Sequence, residues 1–223
     1  MDLKPFFEQY EALVKLVDEA FAKVKARFPE QVCCKVTCSD CCHALFDLSL
    51  VEAMYIKTKI DGMFTGAALE ALQERANEAD RKIYRIKRQA YQEREGGKDE
   101  TAILEEMAKQ RVRCPALDET DCCAIYPIRP ITCRIYGVPT EIGGRAHTCG
   151  MSGFRAGDAY PTMKLDVVHK RLYEICFALA QSINTRYPSL ADMMVPLSMA
   201  ILTDYSEEYL GVVTDQKADA AKE

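Results

Sequence analysis

The chain lacks the features that would direct it to a membrane or to nucleic acid. No apolar run continues long enough to span a bilayer, and residues 1–28 mix charged with apolar side chains instead of following a secretion signal. A formal charge of −5 leaves no broad basic surface, so neither nucleic acid nor a membrane is expected as a partner. No Gly-rich nucleotide loop, Ser/His/Asp set or carboxylate pair stands out. No useful stretch alternates in the manner of a strand, so the expected fold class is all-α. These absences place the protein in the cytoplasm, where thiols stay reduced.

What the chain has in excess is cysteine. There are 11 in 223 residues, an odd number in a compartment that does not sustain disulfides, so metal binding is the better explanation. Ten of them fall between Cys33 and Cys149 in two dense groups, and Cys176 stands apart.

The flanking sequence reads as helices. Phe7, Tyr10, Val14, Val17, Phe21, Val24 and Phe28 recur at steps of three and four, one stripe of a helix that Pro29 stops. Ser49-Leu50-Val51-Glu52 is a capping-box pattern that predicts a helix to about Ile60. Leu69, Leu72, Ala76, Ala79, Ile83, Ile86 and Ala90 form a third stripe, bounded by Gly66 and Gly96-Gly97. Its heptad-like spacing is short enough that packing within one chain is the simpler reading than a coiled-coil dimer. Thr101 to Val112 predicts a fourth helix. A fifth carries Leu165, Val168, Leu172, Ile175, Cys176, Leu179 and Ile183, and a last one follows Ser189 with Met193, Met194, Leu197 and Ile201. The expected organisation is a single helical domain over 1–213, a cysteine-rich module at 33–42 and 113–150, and a disordered tail at 214–223.

The first cysteine block reads Cys33-Cys34-x-x-x-Cys38-x-x-Cys41-Cys42 without helical periodicity. Short turns of this kind bring sulfurs two or three residues apart to within coordination distance of a metal. The second block holds Cys114-Pro115, Cys122-Cys123-Ala124-Ile125-Tyr126, Arg129-Pro130, Cys133-Arg134 and His147-Thr148-Cys149, and its prolines and Gly143-Gly144 rule out one continuous helix. In the order and spacing of at least seven cysteines this pattern resembles the YkgJ-like cysteine-cluster family, described as zinc- or iron-chelating. The resemblance covers roughly Cys33 to Cys149, and the flanking helices add nothing to it.

Carried over by position, the resemblance implies Cys34, Cys38, Cys41, Cys42, Cys114, Cys123 and Cys133 as metal ligands, with Cys149 as an eighth. Cys33 and Cys122 duplicate a neighbour and read as extra thiols, and Cys176 lies on an apolar helix face. Arg129 and Arg134 flank Cys133 and are expected to donate to bound sulfur, the alternative being solvated surface arginines. Tyr126 is a further donor or a packed ring. His43 and His147 adjoin cysteines but are not needed as ligands, and His169 reads as an ordinary helix residue.

Neighbouring Cys41 and Cys42 diverge and suit two metal centres or one multinuclear cluster. Iron–sulfur, as one or two 4Fe–4S clusters, is expected ahead of Zn²⁺, because a cubane spreads thiolate charge over more atoms. Flagellin lysine methylases with a similar cysteine cluster are associated with iron–sulfur, which points the same way. Three functions follow: a cluster protein for electron transfer, metal handling or enzyme maturation, with an unidentified protein partner; a cluster-dependent enzyme acting on a protein or small molecule; or a zinc-stabilised interaction module.

Overall fold

The computed structural model describes residues 1–35, 38–155 and 157–213. The tail expected to be disordered, 214–223, lies outside the described residues. The elements run α1 (Lys4–Arg27), β1 (Asp47–Ser49), α2 (Leu50–Met63), α3 (Gly66–Glu95), α4 (Glu100–Ala108), α5 (Ile131–Ile135), β2 (Thr140–Ile142), β3 (Arg145–His147), β4 (Met163–Lys164), α6 (Leu165–Ser182), β5 (Met194–Pro196) and α7 (Leu197–Leu202). Among the described residues no helix is long and apolar enough to cross a membrane.

One apolar core joins α1, α2, α5, α6 and α7. Its centre is α2, where Leu50, Val51, Ala53, Ile56 and Ile60 are fully buried, each larger aliphatic side chain contributing about 1.5–3 kcal/mol. The capping box starts this helix as its sequence demands. The Glu52 carboxylate turns back to accept the Ser49 N–H at 3.3 Å and the Ser49 hydroxyl at 3.1 Å. The α3 stripe is spent inside the chain, Leu72 and Ala76 in the main core and Ala79 and Ile83 in a small cluster with Val112.

The fold is mostly helical, and three expectations need correction. The all-α class gives way to small sheets, an antiparallel pair of β1 with β5 and a three-stranded sheet in the order β3-β2-β4. These strands are two or three residues long, too short for alternation to register. The fourth helix ends at Ala108 rather than near Val112, because residues 111–114 run extended against the first cysteine block. Val112 N–H donates to the His43 carbonyl at 3.1 Å and Cys114 N–H to the Cys42 carbonyl at 2.7 Å. The last helix begins only at Leu197. Met194 to Pro196 pair with Asp47 to Ser49 instead, and Pro196 caps the helix.

Candidate metal centre

The first block follows α1 after Phe28, with Cys38 N–H bonded to the Lys35 carbonyl (2.9 Å) and Cys42 N–H to the Ser39 carbonyl (3.0 Å). Asp40–His43 form a single 3₁₀ turn. With three residues per turn, consecutive side chains leave the backbone about 120° apart, yet the thiols of Cys41 and Cys42 stay within reach of each other, contrary to the expected divergence.

The second block reaches the first by two routes. Residues 114–124 form a narrow hairpin, with Ala124 N–H bonded to the Ala116 carbonyl at 2.8 Å and Asp118 N–H to the Cys122 carbonyl at 2.9 Å. The Asp118 carboxylate organises its tip by accepting from the Thr120 and Cys122 amides (2.8 and 2.9 Å), and Asp121 takes a positive φ of 58° that Asp tolerates. This hairpin carries Cys114 and Cys123 to Cys42.

Cys133 arrives separately, on α5. The first amide of that helix, Ile131 N–H, donates to Glu52 Oε1 at 3.1 Å, so the buried carboxylate of α2 serves both helix starts. Cys149 follows the β2–β3 hairpin, whose Gly143 and Gly144 both have positive φ. Gly153 N–H to the Gln31 carbonyl, at 2.8 Å, ties the loop after Cys149 to the start of the first block.

A backbone amide is aimed at one of these sulfurs, Met151 N–H donating to Cys149 at 3.3 Å. The amides two residues beyond Cys114 and Cys123, those of Ala116 and Ile125, help to lower those two thiols. Such amides favour thiolate without a full counter-charge. The thiol of Cys42 faces Cys114, Cys123 and Cys41, and that of Cys133 faces Cys41. These neighbours hold Cys41, Cys114 and Cys123 below the usual thiol range, while Cys42 and Cys133, as the proton donors, are held above it. Cys34 is exposed as a residue, but partial desolvation of its sulfur, with Cys38 and Cys149 nearby, pushes it up to about 11. Burial raises Cys149 as well, against the opposing Met151 amide.

Neither arginine donates to a sulfur among the hydrogen bonds present. Arg134 is buried and its guanidinium is fully engaged, with Nε on the Arg129 carbonyl (2.8 Å), one terminal nitrogen on the Pro127 carbonyl (2.7 Å) and the other on Asp18 (2.6 Å). It clamps the turn before α5 to α1. Arg129 stacks 3.9 Å over the exposed Tyr126 ring, and its positive charge helps to lower Cys123. Nδ1 of His43 lies 3.0 Å from the Ser39 carbonyl, His147 is exposed on β3, and His169 is exposed on α6. Cys33 is exposed beside the Glu30 carbonyl, and Cys122 sits in the Asp118 turn. Cys176 is wholly buried, where its sulfur accepts the Val51 N–H of α2 at 3.4 Å.

Three residues at the centre were not foreseen. Asp40 Oδ2 stands 3.5 Å from Cys149 Sγ, and Arg111 pairs with the other oxygen of that carboxylate at 2.6 Å. Gly137 lies directly under Cys34, for a Cβ there would fall 2.0 Å from the Cys34 sulfur. Asp40 sits inside the motif and Gly137 closely follows it, but nothing in their spacing marks them, since both act through residues distant in sequence.

Among the described residues no group of three or more His, Cys, Asp or Glu side chains is arranged as a ready cage for an ion. The structure supplies the donor set itself, clustered thiols with a backbone amide donating to the Cys149 sulfur, which is the chemistry that suits zinc or iron–sulfur and not a hard cation such as Mg²⁺ or Ca²⁺. A family model, CxxCxxCC, described as a "putative zinc- or iron-chelating domain", matches residues 32–150. No curated protein and no solved structure matches the chain. The matched span is more than half the chain and holds both cysteine blocks, so this protein belongs to the CxxCxxCC cysteine-cluster family of metal-chelating domains.

Proposed function

We propose that the protein holds iron–sulfur, as one or two 4Fe–4S clusters, on Cys34, Cys38, Cys41, Cys42, Cys114, Cys123, Cys133 and Cys149. Its role on this reading is electron transfer, metal handling or the maturation of another enzyme in the cytoplasm. The observation that carries the reading is the meeting of thiols from both blocks, with Cys149 receiving a backbone N–H. Iron–sulfur is favoured over Zn²⁺ by charge. Eight thiolates on two Zn²⁺ ions concentrate negative charge on few atoms, and here Arg134 is committed to Asp18 and two carbonyls and does not offset it. A cubane spreads that charge over its inorganic sulfides, whose potential is then set by hydrogen bonds and exposure. The surrounding helices act as scaffold and as the surface for a protein partner.

Protein purified without oxygen decides between the metals. A brown chain with iron and acid-labile sulfide in equal amounts supports iron–sulfur, and a colourless chain containing only zinc overturns it in favour of the zinc-stabilised module.

A cluster-dependent enzyme is the second reading, favoured by one observation. A cavity of about 290 Å³ opens on the opposite side of α5, lined by Ile131, Thr132 and Ile135 of that helix with Glu52, His169 and Asp192. A substrate there would lie one short helix away from Cys133. Under this reading, widening or filling the cavity at Thr132 changes turnover while metal content stays constant. Loss of metal together with turnover would instead assign Thr132 to the scaffold.

A further inference from the structure

Resting on the second reading above, in which the cavity beside α5 takes a substrate, we infer that its ligand is a small organic amine, an ammonium group carried on a compact apolar body. The volume, about 290 Å³, is at the lower end for pockets that enclose a whole small molecule. Its shape selects the body of the ligand and the charge of its walls selects the head.

The floor is buried and apolar. Ile131 and Ile135 of α5, Leu165 and Leu172 of α6, and Ala191 supply it. The mouth is rimmed by exposed side chains, His169 and Tyr173 of α6 with Asp192 and Met194 from the segment leading into β5. A ligand that fits both parts is therefore amphipathic, with hydrocarbon against the floor and one polar group.

The sign of that group follows from the remaining lining. Asp47, Glu52 and Asp192 all line the cavity, and no lysine or arginine does. Lys87 holds both oxygens of Asp47 at 2.7 Å from outside the lining. Glu52 is buried, and its four hydrogen bonds come from neutral donors, the Tyr10 hydroxyl, the Ser49 amide and hydroxyl, and the Ile131 amide. Its acceptor positions are filled, so Glu52 contributes charge to the cavity and not a contact. Asp192 takes part in no ion pair among the described residues and is the carboxylate placed to receive a ligand N–H. A buried carboxylate with no cation beside it penalises an anionic ligand and favours a cationic one. Burial raises the Glu52 carboxyl, and a bound ammonium offsets that effect. An organic acid would enter against three carboxylates with no cationic side chain to receive it, and a neutral alcohol would fill the floor without using the field.

Three probes of one shape test this: n-hexylamine, 1-hexanol and hexanoate, each titrated calorimetrically into the metal-loaded protein. The amine is expected to bind about tenfold more tightly than the alcohol, the effect of one hydrogen bond to a charged group, and hexanoate to show no binding. Asp192→Asn, an exposed change, reduces that preference several-fold and leaves 1-hexanol unaffected. Met194→Trp narrows the mouth from a surface position and weakens amine and alcohol together. Equal affinities for the three probes, or a preference for hexanoate, overturn the ligand class and leave the cavity as a substrate site. Amine binding that survives Met194→Trp overturns the inference by placing the amine on the acidic outer surface. Binding by none of the three overturns the cavity as a site, and the enzyme reading with it. Amine binding as expected, with turnover indifferent to substitution at Thr132, supports the amine site and removes the enzyme reading alone.

Discussion

Gly137 is where a single side-chain carbon decides whether a ligand can be seated. Its backbone is not in a left-handed conformation, so alanine is tolerated there by the chain, but the added methyl would fall 2.0 Å from Cys34 Sγ. Gly137→Ala is expected to leave the helix content unchanged while weakening metal affinity by roughly 10–100-fold, the range typical of disturbed support around a metal ligand. Unaltered resistance to a chelator would show that Cys34 is not held at the centre. The cysteines themselves divide in the same assay. Cys41→Ser lowers metal content strongly and Cys176→Ser leaves it unchanged, since Cys176 is occupied with the start of α2; equal losses would contradict the assignment. At this scale the candidate ligands could be proposed from the sequence, because their types and spacing are local. Gly137, Asp40 and the commitments of Arg134 were not, because each is defined by a partner far along the chain.

Among the elements, α5 is the one that most clearly joins scaffold to site, although it spans only Ile131–Ile135. A helix of that length does not hold itself together in water. Glu52 accepts its first amide, and Arg134 binds the carbonyls of Pro127 and Arg129 while reaching Asp18 on α1. Arg134→Leu leaves those acceptors without a donor and is expected to cost about 1–3 kcal/mol, read as a lower urea midpoint. A midpoint equal to wild type would mean that the clamp is dispensable. The long helices were legible from their apolar stripes, with the Ser49–Glu52 box and the bounding glycines marking their ends. The short strands and α5 were not, since their conformations come from pairing with remote segments, as when Met194 to Pro196 align with Asp47 to Ser49. The same cause ended α4 early, where residues 111–114 are drawn into the cysteine turn.

Across the whole molecule, metal, protons and folding are linked. In the metal-free chain Cys34, Cys42, Cys133 and Cys149 are held above the ordinary thiol range, so each carries a proton at neutral pH that a metal must expel. A raised value favours the protonated, metal-free form increasingly as pH falls. Metal affinity therefore rises with pH through neutrality and on toward the raised thiol values, about 11 for Cys34, and binding releases protons. Calorimetry in two buffers of different ionisation enthalpy would detect that release, and binding without it would exclude these thiols as ligands. Because the metal centre joins segments from Cys34 to Cys149, bound metal is also expected to raise the unfolding temperature of the whole chain. The assembly of the blocks was beyond reach of the sequence. It depends on the turn at Asp118, the hairpin at Gly143-Gly144 and the bond from Gly153 to Gln31, none of which has a spacing that reports what it approaches.

The central claim is that the two cysteine blocks form one sulfur-ligated metal centre, and X-ray absorption at the edge of the bound metal tests it directly. An all-sulfur shell at about 2.3 Å is predicted for either zinc or iron–sulfur. A shell dominated by nitrogen and oxygen at about 2.0–2.2 Å would contradict it.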